Sequence, residues 1–234
     1  MGCEVEKREK LKNEFISSIS HELRTPLTSI KGWAVTLKYD CSDMETVALG
    51  LDIIEKESDR LTDMVEELLD FSKLINGVIT LNVKENDVKS FIEYIANYMR
   101  PRADREKKRF IINIDKNVGK VYFDENRIKQ VLSNIIDNAF KFTGEHGEII
   151  LSVKRENGNL VFIVKDNGSG ISIKDLPRVK DKFYKGKNSK SRNGIGLSIC
   201  DEIVNLHNGS LEIESKENEG TEVVIKIPLN QGEI

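Results

Sequence analysis

The stretch SSISHELRTPLTSIKGW, residues 17–33, sets a histidine and a proline into a segment whose apolar spacing is that of a helix. Leu11, Phe15, Ile19, Leu23, Leu27, Ile30, Ala34 and Leu37 recur every three or four residues and make one stripe. At 100° per residue His21 falls almost opposite the centre of that stripe, facing water, with Thr25 one turn on along the same face. Glu22 adjoins the histidine and is less exposed. Pro26 lacks an N–H, so the carbonyl of Glu22 loses its helical partner and the helix bends there. A mid-helix proline costs roughly 3 kcal/mol. An isolated histidine on a wet helix face is ordinarily plain surface; the tolerated proline points instead to a distortion that opens the imidazole to a large partner. The chemistry that suits these residues is phosphoryl acceptance. A neutral ring nitrogen attacks, while Glu22 takes the proton on the other nitrogen and orients the ring.

Outward from this stretch, helical periodicity persists from about Val5 to Ile75, with Gly32 and Gly50 the only glycines. A break at YDCSDMET precedes a second helix, for which Ser42 with Glu45 three residues on reads as a capping box. Val47, Leu51, Ile54, Leu61, Val65 and Leu68 give that helix its own stripe. Two long helices with a short connection predict an antiparallel hairpin. Two helices cannot enclose both stripes, so a second copy completing a four-helix bundle is expected.

Near Ile75-Asn76-Gly77 the texture changes. Strand-like runs (RFIINI from 109, EIILSV from 148, NLVFIV from 159, TEVVIKI from 221) alternate with helical segments near 88–104, 124–142 and 194–207. Asn157-Gly158 between two alternating runs is a hairpin turn signal. This half reads as an α/β sandwich. The polar segment 167–193, rich in Lys, Ser and Gly, reads as a mobile loop.

Composition narrows the function classes. The 234 residues carry 36 Lys and Arg against 39 Asp and Glu, for a net charge of −3. That balance gives no general attraction to nucleic acid. Cys3, Cys41 and Cys200 are scattered without metal spacing, as in a reducing compartment. No run approaches the ~20 apolar residues that span a membrane, so a cytoplasmic location without membrane contact is expected.

A histidine that accepts phosphate needs a donor. RIKQVLSNIIDNAFKFT, residues 127–143, makes a strongly amphipathic helix with Ile128, Val131, Leu132, Ile135, Ile136, Ala139 and Phe140 on its buried face. Asn134, Asn138 and Lys141 line up on the other side. Solvated faces favour Glu and Lys; two aligned asparagines with a lysine suit a magnesium–phosphate cluster, amide oxygens for the metal and an ammonium for phosphates. DNGSGI, residues 166–171, follows an apolar strand. Asp166 can accept a hydrogen bond from an exocyclic amine, and Gly168 and Gly170 let backbone approach a ligand. In NGIGLSI, residues 193–199, a glycine-rich turn opens a helix whose free N–H groups can hold phosphate. Neither Walker nor Rossmann spacing is present.

SHELRTPLTSIKG closely resembles the phosphoacceptor segment of two-component sensor histidine kinases, in the HisKA dimerization and phosphotransfer domain, over about Lys12 to Leu74. The three later motifs stand in the order of the ATP-binding domain shared by histidine kinases, gyrase B, Hsp90 and MutL. That likeness covers roughly 85–229, including EIVNLHNGSLEIES at 202–215 and the EGTEVVIKIPL end.

The resemblance implies an α+β architecture. A dimeric antiparallel helical-hairpin domain (1–76) would be followed by a linker (77–84) and an α/β-sandwich ATP-binding domain (85–234) with a lid at about 167–193. It implies that His21 is phosphorylated, that Glu22 is its acid/base partner, and that Thr25 positions the water that dephosphorylates a response regulator. It implies ATP and Mg²⁺ as cofactors, with Asn138 on the metal, Asn134 near phosphates and metal, Lys141 on phosphate and Phe142 lining the pocket. Asp166 would read the adenine amine. Gly168, Gly170, Gly194, Gly196 and Leu197 would shape pocket and lid, and Thr221 would close the adenine side. Phe183 and Tyr184 would anchor the lid, with Lys185 where an arginine often stands.

Lys180, Arg192, Asn218 and Val223 depart from the family pattern, standing for a lid phenylalanine, two glycines and an aromatic. His146 and His207 read as surface or structural residues.

The expected activity is ATP-dependent autophosphorylation of His21 by a homodimer, with transfer to an aspartate of a response regulator receiver domain. The resemblance also admits a membrane-anchored full-length protein of which this is the cytoplasmic portion. Two rivals exist. A degenerate kinase that only binds nucleotide is opposed by the intact His21–Glu22 pair and Asn138. An ATPase clamp of the gyrase or MutL kind sets a water-activating glutamate one turn before the metal-binding asparagine, where this chain has Asn134.

Overall fold

A computed structural model describes residues 23–39, 43–75, 80–182, 184 and 194–229, and the chain divides into two compact units, Met1–Ile79 and Thr80–Ile234.

In the first unit, residues 23–39 form helix α1 and Met44–Ile75 form α2. Asp43 caps α2, its carboxylate accepting the N–H groups of Glu45 and Thr46, each at 3.1 Å. The Thr46 hydroxyl also bonds Asp43 and, with the two N–H groups, holds its carboxyl below the usual range. The capping box read at Ser42 is thus corrected: α2 starts at Met44, which puts the aspartate in the capping position. Gly50 is buried where α2 meets α1. A Cβ there would lie 2.7 Å from Trp33 Cε3 and 3.1 Å from Leu37 Cδ1, so a missing side chain is what lets the indole seat against the helix. Pro26 is buried, and Thr25 beside it is exposed. Part of the apolar stripes stays open: Leu27 is 54% exposed, Leu51 55% and Val65 45%.

The second unit opens with β1 (Lys84–Asp87), paired antiparallel with β3 (Lys120–Phe123). Between them run α3 (Val88–Arg105), capped by Asp87, and β2 (Arg109–Ile114). After β3 come α4 (Glu125–Phe142), β4 (Glu148–Glu156) and β5 (Asn159–Asp166). A short 3₁₀ turn at Leu176–Arg178 is followed by α5 (Gly196–Leu206), β6 (Ser210–Lys216) and β7 (Gly220–Pro228). The main sheet has the order β2-β4-β5-β7-β6, with β2 parallel to β4 and the remaining pairs antiparallel.

Period-2 alternation sends one face of this sheet inward. Leu151, Val164 and Val223 are register partners across three strands, as are Val153, Phe162 and Ile225, and all six are buried. The buried stripe of α4 completes the core. The hairpin read at Asn157-Gly158 joins β4 to β5, with φ values of 50° and 77° as its turn requires.

Two polar knots lock the helices. Asp124 is buried; its carboxylate caps α4 through Arg127 N–H at 3.1 Å and accepts Asn82 N–H at 2.7 Å. Its own N–H donates to His207 Nε2 at 3.0 Å, while His207 Nδ1–H donates to the Ile203 carbonyl at 2.8 Å. His207 is therefore structural, a fully buried neutral imidazole. At the other end, Lys108 donates to the Phe140 carbonyl at 2.6 Å, and the Arg102 guanidinium lies 4.8 Å over the Phe140 ring. Arg102 also pairs with Asp137, fixing α3 to the end of α4. His146 is exposed.

Candidate nucleotide-binding site

The C-terminal half of α4 forms one wall of a cavity, because its half-buried residues sit just beside the core stripe. Asn138 and Phe142 line it from α4, Val164 and Asp166 from β5, Gly170 and Ile171 from the loop after β5. Leu197 contributes from α5, Ile213 from β6, and Thr221 and Val223 from β7. The wall is apolar apart from three side chains, those of Asn138, Asp166 and Thr221.

Asp166 ends β5, and its alternation turns the carboxylate inward. Burial pushes its pKa up, opposed by hydrogen bonds from the N–H groups of Gly168, at 2.8 Å, and Thr221. Held as an acceptor in apolar surroundings, it is suited to a ligand donor such as an exocyclic amine.

The glycines of DNGSGI have distinct reasons. A Cβ on Gly168 would meet the Phe142 carbonyl oxygen at 2.5 Å. Gly170 has φ +62°, and a Cβ there would meet the Lys216 oxygen at 2.0 Å. Asn218, where the family has glycine, takes φ 64°, a conformation asparagine tolerates, and donates its N–H to the Ser169 carbonyl at 2.7 Å.

The remaining predicted residues sort by position. Asn134 lies outside the cavity lining, against the start of α5: its Nδ2 is 4.0 Å from where a Cβ on Gly196 would stand, and its amide bonds the Cys200 sulfur. Cys200 is buried and its thiol is pushed up to about 12, mainly by burial, so it packs rather than reacts. Lys141 is half-buried on α4, one turn after Asn138. Gly194 has φ +65°, and Ile195, at the N-cap of α5, makes no side-chain cap bond to that helix.

Tyr184 is not among the residues lining the cavity; its hydroxyl donates to Asp175 at 2.6 Å and its ring lies 4.2 Å from the Arg178 guanidinium. Lys180 donates to Asp201 at 2.7 Å and to the Leu211 carbonyl at 2.6 Å, tying its segment to α5 and β6. His21, Glu22, Phe183, Lys185 and Arg192 lie outside the described residues. Thr25 belongs to the first unit.

Sequence reading missed Ile171, Ile213 and Ser215 at this site. Ser215 is the register partner of Thr221, with the two hydroxyl oxygens 2.9 Å apart, a relation that only the pairing of β6 with β7 brings out.

Two protein-family models match this chain. Residues 11–77 match the His Kinase A (phospho-acceptor) domain, and residues 123–231 match the histidine kinase-, DNA gyrase B- and HSP90-like ATPase family. The sensor histidine kinase YclK of Bacillus subtilis is 31% identical over 231 residues, covering 97% of this chain and 48% of its own length. The chain thus spans about half of that curated relative. Among solved structures, the Acinetobacter baumannii histidine kinase AdeS superposes with TM-score 0.70 at 26% identity, over 90% of this chain and 98% of its own. Histidine kinase ThkA, in complex with response regulator protein TrrA, gives TM-score 0.78 at 26% identity, over 98% of this chain and 65% of its own. With a phospho-acceptor domain leading into an ATPase domain, the chain carries the catalytic core of a two-component histidine kinase.

Proposed function

We propose that the chain is an ATP-dependent protein-histidine kinase that phosphorylates His21 and passes the phosphoryl group to an aspartate of a response regulator. The observation that carries this reading is the cavity. It joins a buried carboxylate, Asp166, to Asn138 and to Leu197 in the first turn of α5, in a chain that also holds the His21–Glu22 pair. Adenine stacks among the apolar residues against Phe142, with its amine on Asp166. Lys141 and the first N–H groups of α5 take the phosphates.

Among the described residues no group of three or more His, Cys, Asp or Glu could hold a metal. Asn138 would hold Mg²⁺ through its amide oxygen, the ion taking its other ligands from phosphate and water, as this ion commonly does. The ion supplies charge neutralisation on the phosphates when bound. A ring nitrogen of His21 attacks the γ-phosphorus, the bond to the β-phosphate oxygen breaks, ADP leaves, and Glu22 takes the proton of the other ring nitrogen.

The open apolar residues of α1 and α2 support a homodimer closing a four-helix bundle, with 1–76 as the dimerization domain and 77–84 as linker to the catalytic part. A monomer in sedimentation equilibrium at micromolar concentration would exclude that bundle. Among the described residues no helix is long and apolar enough to cross a membrane.

Exposed Thr25 supports a second activity, holding the water that removes phosphate from the regulator. Thr25→Ala should slow decay of phospho-regulator while autophosphorylation persists; decay equal to that of an active wild type would reject the role.

The test of the whole reading is incubation with labelled ATP and then with a receiver domain. Label stable in alkali and labile in acid should form on the chain and move to the receiver. Label on neither protein would reject it.

A further inference from the structure

Behind Thr221 stands a hydroxyl whose hydrogen bonds are all accounted for. Ser215 Oγ accepts the Ile171 N–H at 2.8 Å, lies 2.8 Å from the Gly220 carbonyl oxygen, and lies 2.9 Å from Thr221 Oγ1. A carbonyl cannot donate, so the single Ser215 hydrogen goes to Gly220. The contact with Thr221 then requires the threonine to donate. Ser215 thereby makes one donation and two acceptances, which exhausts a hydroxyl.

The consequence lies in the cavity, which Thr221 lines together with Asp166. With its hydrogen committed to Ser215, the threonine oxygen presents only lone pairs. The carboxylate of Asp166, fixed by the N–H groups of Gly168 and Thr221, likewise only accepts. The two strands holding these residues are neighbours, with Asp166 and Thr221 as register partners.

We infer that Ser215 is a specificity-determining positioning residue: by fixing the direction of the Thr221 hydroxyl it makes the purine edge of the cavity acceptor-only, favouring a 6-aminopurine over a 6-oxopurine. The inference rests on the nucleotide reading of the cavity. An exocyclic amine brings hydrogens to these acceptors, whereas a 6-oxo group sets lone pair against lone pair, and an unmatched buried polar group is what discriminates most strongly. Without Ser215, the Thr221 hydroxyl turns freely and can donate to the oxo group.

The experiment titrates ADP and IDP into the full chain by calorimetry, for wild type, Ser215→Ala, Thr221→Val and the double variant. Wild type should prefer ADP by about tenfold or more, and Ser215→Ala should cut that preference about five- to tenfold, chiefly by gaining IDP affinity. In the Thr221→Val background the serine change should leave the ratio alone, since the hydroxyl it directs is gone.

A role for Ser215 confined to packing would lower both affinities together. An unchanged ratio therefore overturns the inference, as does a wild type that binds both nucleotides equally. Should Ser215→Ala fail to fold, Thr221→Val decides: it must weaken ADP more than IDP, and an unchanged ratio there overturns the inference. A wild type that binds neither nucleotide overturns the cavity reading itself, and this inference with it.

Discussion

Gly168 stands against the last turn of α4 so closely that a Cβ would come within 2.5 Å of the Phe142 carbonyl oxygen, which also accepts the Ser169 N–H at 3.0 Å. The loop that follows Asp166 is thereby fastened to the helix that carries Asn138. Gly168→Ala must push the two apart, an overpacking that ordinarily costs about 1–3 kcal/mol. ADP affinity should fall by more than about tenfold, beyond the effect on thermal midpoint, because both walls of the cavity move. Calorimetric titration with parallel melting checks this; unchanged affinity would contradict the fit.

Asn138 combines a place in the cavity with a half-buried amide. Asn138→Ala should abolish autophosphorylation and weaken Mg-ATP binding with little loss of stability, as the side chain is not part of the core stripe. Titration of ATP with and without Mg²⁺ separates metal from base contacts: the variant should lose the magnesium dependence and keep the metal-free affinity.

Gly50 admits Trp33 to the hairpin, and the chain has a single tryptophan. Gly50→Ala gains about 1 kcal/mol of helix propensity but forces the indole off α2 at about 1–3 kcal/mol. The net expectation is a small loss of hairpin stability together with a red shift of tryptophan emission, since the ring becomes wetter. Emission at the wild-type wavelength would show that the ring keeps its seat.

Burial lowers the pKa of His207 below its ordinary 6.5, although its bond to Ile203 and the charge of Asp124 partly oppose this. The unfolded chain therefore takes up this proton first as pH falls. Its contribution is complete above the unfolded pKa and is lost as pH drops from there through the folded value. The melting temperature should decline between about pH 7.5 and 5.5. His207→Gln should be less stable at neutral pH and show a flatter slope, the difference between the two profiles isolating this residue from the other histidines.

How much of this was legible beforehand followed from how strongly each element depends on its own pattern. The runs EIILSV, NLVFIV and TEVVIKI alternate because each lies inside the sheet with one face buried, and α4 shows its stripe for the same reason. KEND and KVYF are four-residue strands that pair only with each other, too short to show a period. SLEIESK is an edge strand with charged residues outward, so its pairing partner defines it better than its composition does. Asn138, Asp166 and the DNGSGI glycines could be named because chemistry restricts such positions to few residue types. Ser215 could not, since a serine means nothing until the strand opposite puts a threonine oxygen 2.9 Å away. The start of α2 went to Asp43 rather than Ser42 because both are good caps and only helix phase chooses between them.

The central claim is that His21 is the phosphoryl acceptor and the cavity around Asp166 and Asn138 holds the donor. The most direct measurement incubates wild type and His21→Gln with γ-labelled Mg-ATP and follows alkali-stable, acid-labile label on the protein, with ADP titrated into both. Wild type should take up label. His21→Gln should take up none, because a glutamine amide cannot form the phosphoramidate, and should bind ADP as tightly as wild type. Equal labelling of the two proteins would contradict the account.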